Sequence, residues 1–570
     1  MPSYPRLGRR SLRPLLTAGV VLLLSATALT ACGEGGDDST SAGPRDSIVV
    51  VTADQATNLV RDFGYTAGSD NQEVTNSLGA QLLRKPYIEE DGANVLVQDL
   101  YTFDPYLAES YEVSDDGLVY TFHLKQGVLS QQGNELTADD VVWSFRRKFD
   151  TPGGGMAGYY APAITDVSKQ IVAVDDYTVT FTIPAAGLGF TLLGNLAENI
   201  GTIYDSDYLK EHATEADPYA VEWGVSDMLN ANIGYGAYMI DSFTPDQEIV
   251  LKANPNYVDG EPAIKTIVRR VVPEAATRAN MLASGDADIA TDLRPSDQAD
   301  LDDNPEVFTP VATSNLYQSI SLNSTKAPFD DLLVRQAFNY AVPYEDIIDD
   351  VFHGRAYLYQ HLLDDKAPYY DDSNLPDYAY DPEKAKELLA EAGVAEPVEF
   401  TLTVSNVVPA VQDSAVVIAA AAKKAGFDVK ISEAPAAQVF TDGAEGKLQA
   451  SMSQGTAVTM SPPYQLELVT NPGGSSNTVF WEGASFDEFS AVMDEGYAAG
   501  DTIGPKAGPK WSEAEGLMLE NAGHIFIGRV MSPYSMRSDI VGYTQRTDRR
   551  IDYSVMTAGE GTAGKDMIAE

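Results

Sequence analysis

The sequence predicts a mixed α/β protein built from more than one domain. Its 570 residues are too many for a single core, and 44% of them are hydrophobic, which is ample material to bury. Residues 107 to 231 read mostly as strands, whereas a strand, a helix and a second strand follow one another between 398 and 431. That second pattern requires a parallel pair joined by a right-handed crossover.

Residues 1 to 31 carry Arg6, Arg9, Arg10 and Arg13 and no acidic residue, and an apolar run from Leu15 ends in Leu29-Thr30-Ala31-Cys32. A basic start, an apolar run of ~15 residues and small residues before a cysteine form an export signal with a lipobox. Cys32 is the only cysteine, so an internal disulfide is impossible. It resembles the lipid-modified cysteine of bacterial lipoproteins. An uncleaved anchor helix is the plainer alternative, although a span usually needs about 20 apolar residues. The Arg9-Arg10 pair leaves general and twin-arginine export both open. Gly33 to Ser47 is rich in Gly, Ser and Asp and reads as a flexible tether.

The body starts at Ile48 to Thr52, a β-branched run suited to a buried strand. Val113 precedes an Asp115-Asp116-Gly117 turn, and Tyr120, Phe122 and Leu124 then alternate on one face, which predicts an antiparallel hairpin. Thr137 with Asp140 forms a capping box ahead of Val141, Val142 and Phe145, so a helix starts there. Ile171 to Val174 and Thr178 to Ile183 flank Asp175-Asp176 as a second strand pair. Asp381-Pro382 opens a helix with Ala385, Leu388, Leu389 and Ala392 on one face and Gly393 past its end. Val398, Phe400, Leu402 and Val404 then alternate as a strand, an Ala-rich helix runs from about Gln412 to Ala425, and Phe427, Val429 and Ile431 form the next strand.

Composition excludes several functions. With 38 Lys+Arg against 84 Asp+Glu, the formal charge of −46 repels phosphate backbones, so no nucleic-acid partner is expected. The tail from Gly559 to Lys565 satisfies both GxGxxG and GxxxxGK. No helix can follow it, however, and Asp566 stands where a phosphate loop needs Ser or Thr. The five histidines, His123, His212, His353, His361 and His524, never form a close metal-binding pair, and no GxSxG occurs. Acidic pairs such as Asp349-Asp350, Asp364-Asp365 and Asp371-Asp372 read as solvated faces. No cofactor, metal or catalytic residue is expected.

The stretch from Leu107 to Arg147, LAESYEVSDDGLVYTFHLKQGVLSQQGNELTADDVVWSFRR, resembles the signature region of extracellular solute-binding family 5. The resemblance continues through Gly234 to Tyr238, Asn254 to Tyr257, Val272-Pro273 with Thr277-Arg278, Gly285 to Ile289, Asn323, Phe329 to Asp331, Val334-Arg335 with Ala337, and Asp381 to Ala385. It implies a two-lobed, periplasmic-binding-protein-like fold of type II, with a β-rich domain inserted in the first. The implied division is a signal at 1–31, a tether at 32–47, domain I at 48–106 and 232–323, domain II at 107–231, domain III at 324–527, and a return to domain I with a tail at 528–570. It also implies a lipid-anchored importer component on the extracytoplasmic face, a monomer that hands a peptide or other polar solute to ABC permease subunits and, through them, to ATPase subunits. A peptide-sensing or chaperone-like lipoprotein of the same fold and an exported hydrolase are the alternatives.

In peptide-binding members of that family, the third domain carries a strand ending Gly-Trp and then an aspartate that pairs with the ligand's α-amino group. The matching stretch here starts Gly455-Thr456 and reaches Thr459, so a hydroxyl stands where a charge would be. A peptide held by its backbone, a blocked peptide or another polar solute fits that difference better. The expected cleft contacts are Tyr65, Tyr317, Gln454, Thr456, Thr459, Tyr464, Asn477 and Trp481, with Glu467 and Asp442 as substitute acidic anchors.

Overall fold

The computed structural model describes residues 44–559, apart from 57–58, 60–68, 152–159, 313, 458, 473–475 and 547–549. The signal, Cys32, Tyr65 and the glycine-rich tail beyond Gly559 lie outside the described residues.

Two large sheets dominate. The first has seven strands in the spatial order Tyr238–Thr244, Glu248–Ala253, Thr266–Val271, Ser47–Thr52, Ile289–Ala290, Ser535–Arg537 and Val307–Phe308. Ser47–Thr52 runs parallel to both its neighbours, and buried faces explain its unbroken β-branched run. The end of the expected tether is part of this body: the Arg45 amide donates to the Ala558 carbonyl at 2.8 Å, and its guanidinium reaches Asp288 at 2.6 Å and Asp539 at 2.8 Å. The fold therefore starts a few residues earlier than the Gly/Ser composition indicates.

The second sheet has six strands in the order Ala356–Leu358, His524–Val530, Tyr317–Leu322, Ala450–Gly455, Val398–Ser405 and Phe427–Ala434. Val398–Ser405 and Phe427–Ala434 pair in parallel over their whole length, with helix Pro409–Ala422 crossing between them. That helix starts three residues before the expected Gln412, because Pro409 fits the first helical turn, where its missing N–H is not needed. Phe400, Leu402, Ile418 and Phe427 meet in one core, each contributing about 1.5–3 kcal/mol of burial. Tyr317–Leu322 was expected at the end of domain I but pairs with Ala450–Gly455 and His524–Val530, so it belongs to this second sheet.

A four-stranded antiparallel sheet of Ala108–Val113, Val119–Leu124, Thr178–Thr182 and Ile171–Asp175 forms the strand-rich insert. Its hairpin turns at Gly117, where φ is +72°, a region that favours glycine. Tyr120, Phe122 and Leu124 all face the insert's core. Helix Ala138–Asp150 packs on it, capped as expected, with the Thr137 amide donating to the Asp140 carboxylate at 2.8 Å.

Among the described residues the chain passes between the two large sheets twice, through 309–316 and 531–534. The two passages lie side by side, since the Val530 amide donates to the Leu316 carbonyl at 2.8 Å. Two adjacent connections are the covalent geometry of a hinge between lobes.

Candidate functional site

Strand direction marks a candidate site. In the six-stranded sheet, Val398–Ser405, Phe427–Ala434, Ala450–Gly455 and His524–Val530 all run the same way, so their carboxyl ends share one rim. In the seven-stranded sheet, Ser47–Thr52, Thr266–Val271 and Ile289–Ala290 also share a rim at their carboxyl ends. Both crossing segments run from one rim to the other. Open α/β sheets take ligands at such ends, and here two of them face each other.

Each rim is fixed by one buried arginine. On the first, Arg278 donates to the carbonyls of Thr291 (2.9 Å), Val272 (2.7 Å), Pro273 (2.8 Å) and Asp292 (2.6 Å), tying together the loops that follow the two strands flanking Ser47–Thr52. On the second, Arg529 donates to the carbonyls of Asn315 (3.0 Å), Leu362 (2.6 Å) and Leu363 (3.1 Å) and lies over the rings of Tyr317 and Tyr359. The planar guanidinium suits both tasks, because it presents several N–H groups in fixed directions.

The rims touch. Arg294 pairs with Asp413 at 2.8 Å, Arg355 with Asp302, and Lys366 with Glu90 at 2.6 Å, while the Tyr101 hydroxyl donates to Asp364 at 2.9 Å. The insert adds a third wall through helix Gly189–Ala197. The Thr191 and Ser461 hydroxyls are 2.6 Å apart, and a methyl group on Gly194 would stand 2.0 Å from Thr459 Oγ1. Glycine at 194 is what lets the loop after Ala450–Gly455 lie directly on that helix.

Several of the expected contacts stand on this second rim. Tyr317 opposes both Gly455 and Arg529 across the sheet and packs edge-on to Phe526. Gln454 donates to Gln318 at 3.2 Å, and the Thr456 hydroxyl to the Ala457 carbonyl at 3.3 Å. Thr459 is buried, its hydroxyl turned to Gly194. Tyr464 is buried in the first turns of helix Pro462–Thr470. Asn477 organises its own loop, donating to the Thr470 and Asn471 carbonyls and accepting from the Val479 and Phe480 amides. Trp481 sits in a core with Phe486 and Phe489, and its indole N–H donates to Ser485 at 3.0 Å. Of the substitute anchors, Asp442 is engaged by Lys447 at 2.8 Å on an exposed helix. Burial pushes the Glu467 carboxyl up to about 6, against the opposing hydrogen bond from Tyr497. Among the described residues no group of His, Cys, Asp and Glu is placed to hold a metal ion.

The model of bacterial extracellular solute-binding proteins, family 5, matches residues 102–477, which is more than half the chain. The chain belongs to family 5. Heme-binding protein A of Haemophilus influenzae is 28% identical over 534 residues, spanning 88% of this chain and 95% of its own. Di/tripeptide-binding protein 1 of Pseudomonas aeruginosa is 32% identical over 352 residues, 59% of this chain and 62% of its own. Among solved structures, the DppA binding protein of Helicobacter pylori, in complex with the peptide STSA, has a TM-score of 0.74 at 23% identity, covering 90% of this chain and 98% of its own.

The family 5 motifs turn out to build the frame. Asn254 donates to the Gly236 carbonyl, Asn323 to those of Gly446 and Leu448, and Arg335 to those of Phe329 and Asn521. Asp331 caps helix Leu332–Asn339 by accepting from the Leu333 amide at 2.8 Å. Arg529, Glu515 and Gly194 were not singled out on sequence, and no local pattern marks them, because their partners are remote in the chain.

Proposed function

We propose that this family 5 protein is the solute-binding component of an ABC importer, tethered by lipid at Cys32, that captures a peptide or other polar small solute between two lobes and passes it to a permease. The observation that carries the reading is the pair of side-by-side crossing segments between two facing rims. Such a joint permits closure, and ligand contacts from both rims would stabilise the closed state. Relatives named for haem and for di- and tripeptides leave the class of solute wide.

The loop at Thr459 narrows it. A free peptide amine enclosed in the cleft needs an acid, since an unpaired buried charge is costly. Thr459 offers a neutral hydroxyl, which favours a blocked peptide, a backbone-held peptide or an uncharged polar solute. Native mass spectrometry of the protein purified from its own source tests this: a retained small molecule without turnover is expected. A chemically altered ligand would point instead to an enzyme.

A further inference from the structure

The segment from Tyr359 to Lys366 is held in an unusual way. Glu515, wholly buried on helix Gly508–Glu520, accepts from the amides of Leu362 (2.5 Å) and Leu363 (3.0 Å) and from the Tyr370 hydroxyl. Arg529, equally buried, donates to the carbonyls of the same two residues. A carboxyl group and a guanidinium thus grip the two sides of one stretch of backbone. Leu362 and Leu363 fill a core with Trp511 and Phe526, and Tyr359 lies 5.0 Å from the Arg529 guanidinium.

The residues just beyond this grip reach the other lobe. Asp364 accepts from the Tyr101 hydroxyl, and Lys366 pairs with Glu90. Those partners flank Val95 and Val97, which pack in the core of the seven-stranded sheet.

We propose that residues 359–366 form a preformed strap that latches the lobes together, with Glu515 and Arg529 as its positioning residues. The inference rests on the two-lobed reading above and adds what regulates closure. Because the strap is ordered by its own lobe, little conformational entropy remains to be lost when the lobes meet. Its tip contacts are polar and partly exposed, so salt weakens them and the latch stays reversible.

The test measures the distance between spin labels on the full chain carrying Cys32→Ser, with Ser242→Cys in the seven-stranded sheet and Glu391→Cys on helix Pro382–Glu391. Two populations are expected, with Lys366→Glu lowering the shorter-distance fraction several-fold and added Glu90→Lys restoring it. Lys430→Glu, on an exposed pair within one lobe, should leave it unchanged. Glu515→Gln should speed hydrogen exchange at 359–366 before the rest of the lobe. Two populations that ignore both Lys366→Glu and its rescue would overturn the strap and leave the hinge standing. A single distance in every variant would overturn both.

Discussion

Arg278 and Arg529 do the same work on opposite rims by different routes. Every described carbonyl partner of Arg278 lies between Val272 and Asp292, inside one strand, helix, strand passage. Arg529 gathers carbonyls from Asn315 and from Leu362 and Leu363, more than 160 positions away. The first clamp knots a local unit together, and the second fastens a distant arm to a sheet. Buried arginines that bind backbone carbonyls are therefore not interchangeable in consequence, even when their geometry matches.

Methionine at each position would break the comparison open. Either change strands several buried carbonyls, and a cost on the order of 3–5 kcal/mol is expected in urea unfolding. The distribution should differ. Arg278→Met should raise hydrogen exchange throughout the seven-stranded sheet, whereas Arg529→Met should raise it first at 359–366. Identical exchange maps would show that the two clamps belong to one cooperative unit.

Gly194→Val probes the contact between the insert and the second rim. Its new side chain meets Thr459 across the lobe boundary, so overpacking of about 1–3 kcal/mol can be relieved by opening instead of by unfolding. A larger radius of gyration with a nearly unchanged melting temperature is expected. A lower melting temperature without expansion would place that contact in a fixed core.

These differences also explain what the sequence made legible. The hairpin around Gly117, the capped helix at Thr137 and the parallel pair near 398–431 are encoded by neighbours a few residues apart, and each stands where its pattern puts it. The family motifs located the frame for the same reason, as Asp331 capping its own helix illustrates. The rims were harder. Tyr317 reads as a ring in a strand, and only sheet order places it beside Gly455 and Arg529. Asn477 and Trp481 look like binding residues by type, yet Asn477 bonds within its own loop and the Trp481 indole N–H donates to Ser485 on the helix that follows.

A pH experiment separates the second lobe from the first. Burial raises the Glu467 carboxyl from 4.5 to about 6, so the folded chain holds a proton there that the unfolded chain has already lost. Its contribution is present below pH 4.5 and is lost as the pH rises through 6. Glu467→Gln should therefore be more stable than the parent above pH 6, by up to about 2 kcal/mol, with the advantage vanishing below pH 4.5. Parallel stability curves at all pH values would mean that the carboxyl is effectively solvated.

The smallest effect is expected at the rim ion pair. Arg294 and Asp413 are both partly exposed, so Arg294→Ala should alter stability by less than about 1 kcal/mol and flatten the salt dependence of closure. A loss of several kcal/mol would make the pair structural.

The hinge itself is tested most directly by small-angle scattering of the protein as purified and again after any retained solute is removed by partial unfolding and dialysis. Two lobes joined through residues 309–316 and 531–534 predict a larger radius of gyration without the solute and its recovery when the solute returns. Superimposable curves in both states, with mass spectrometry recording that a solute had been present and was removed, would contradict capture by closure.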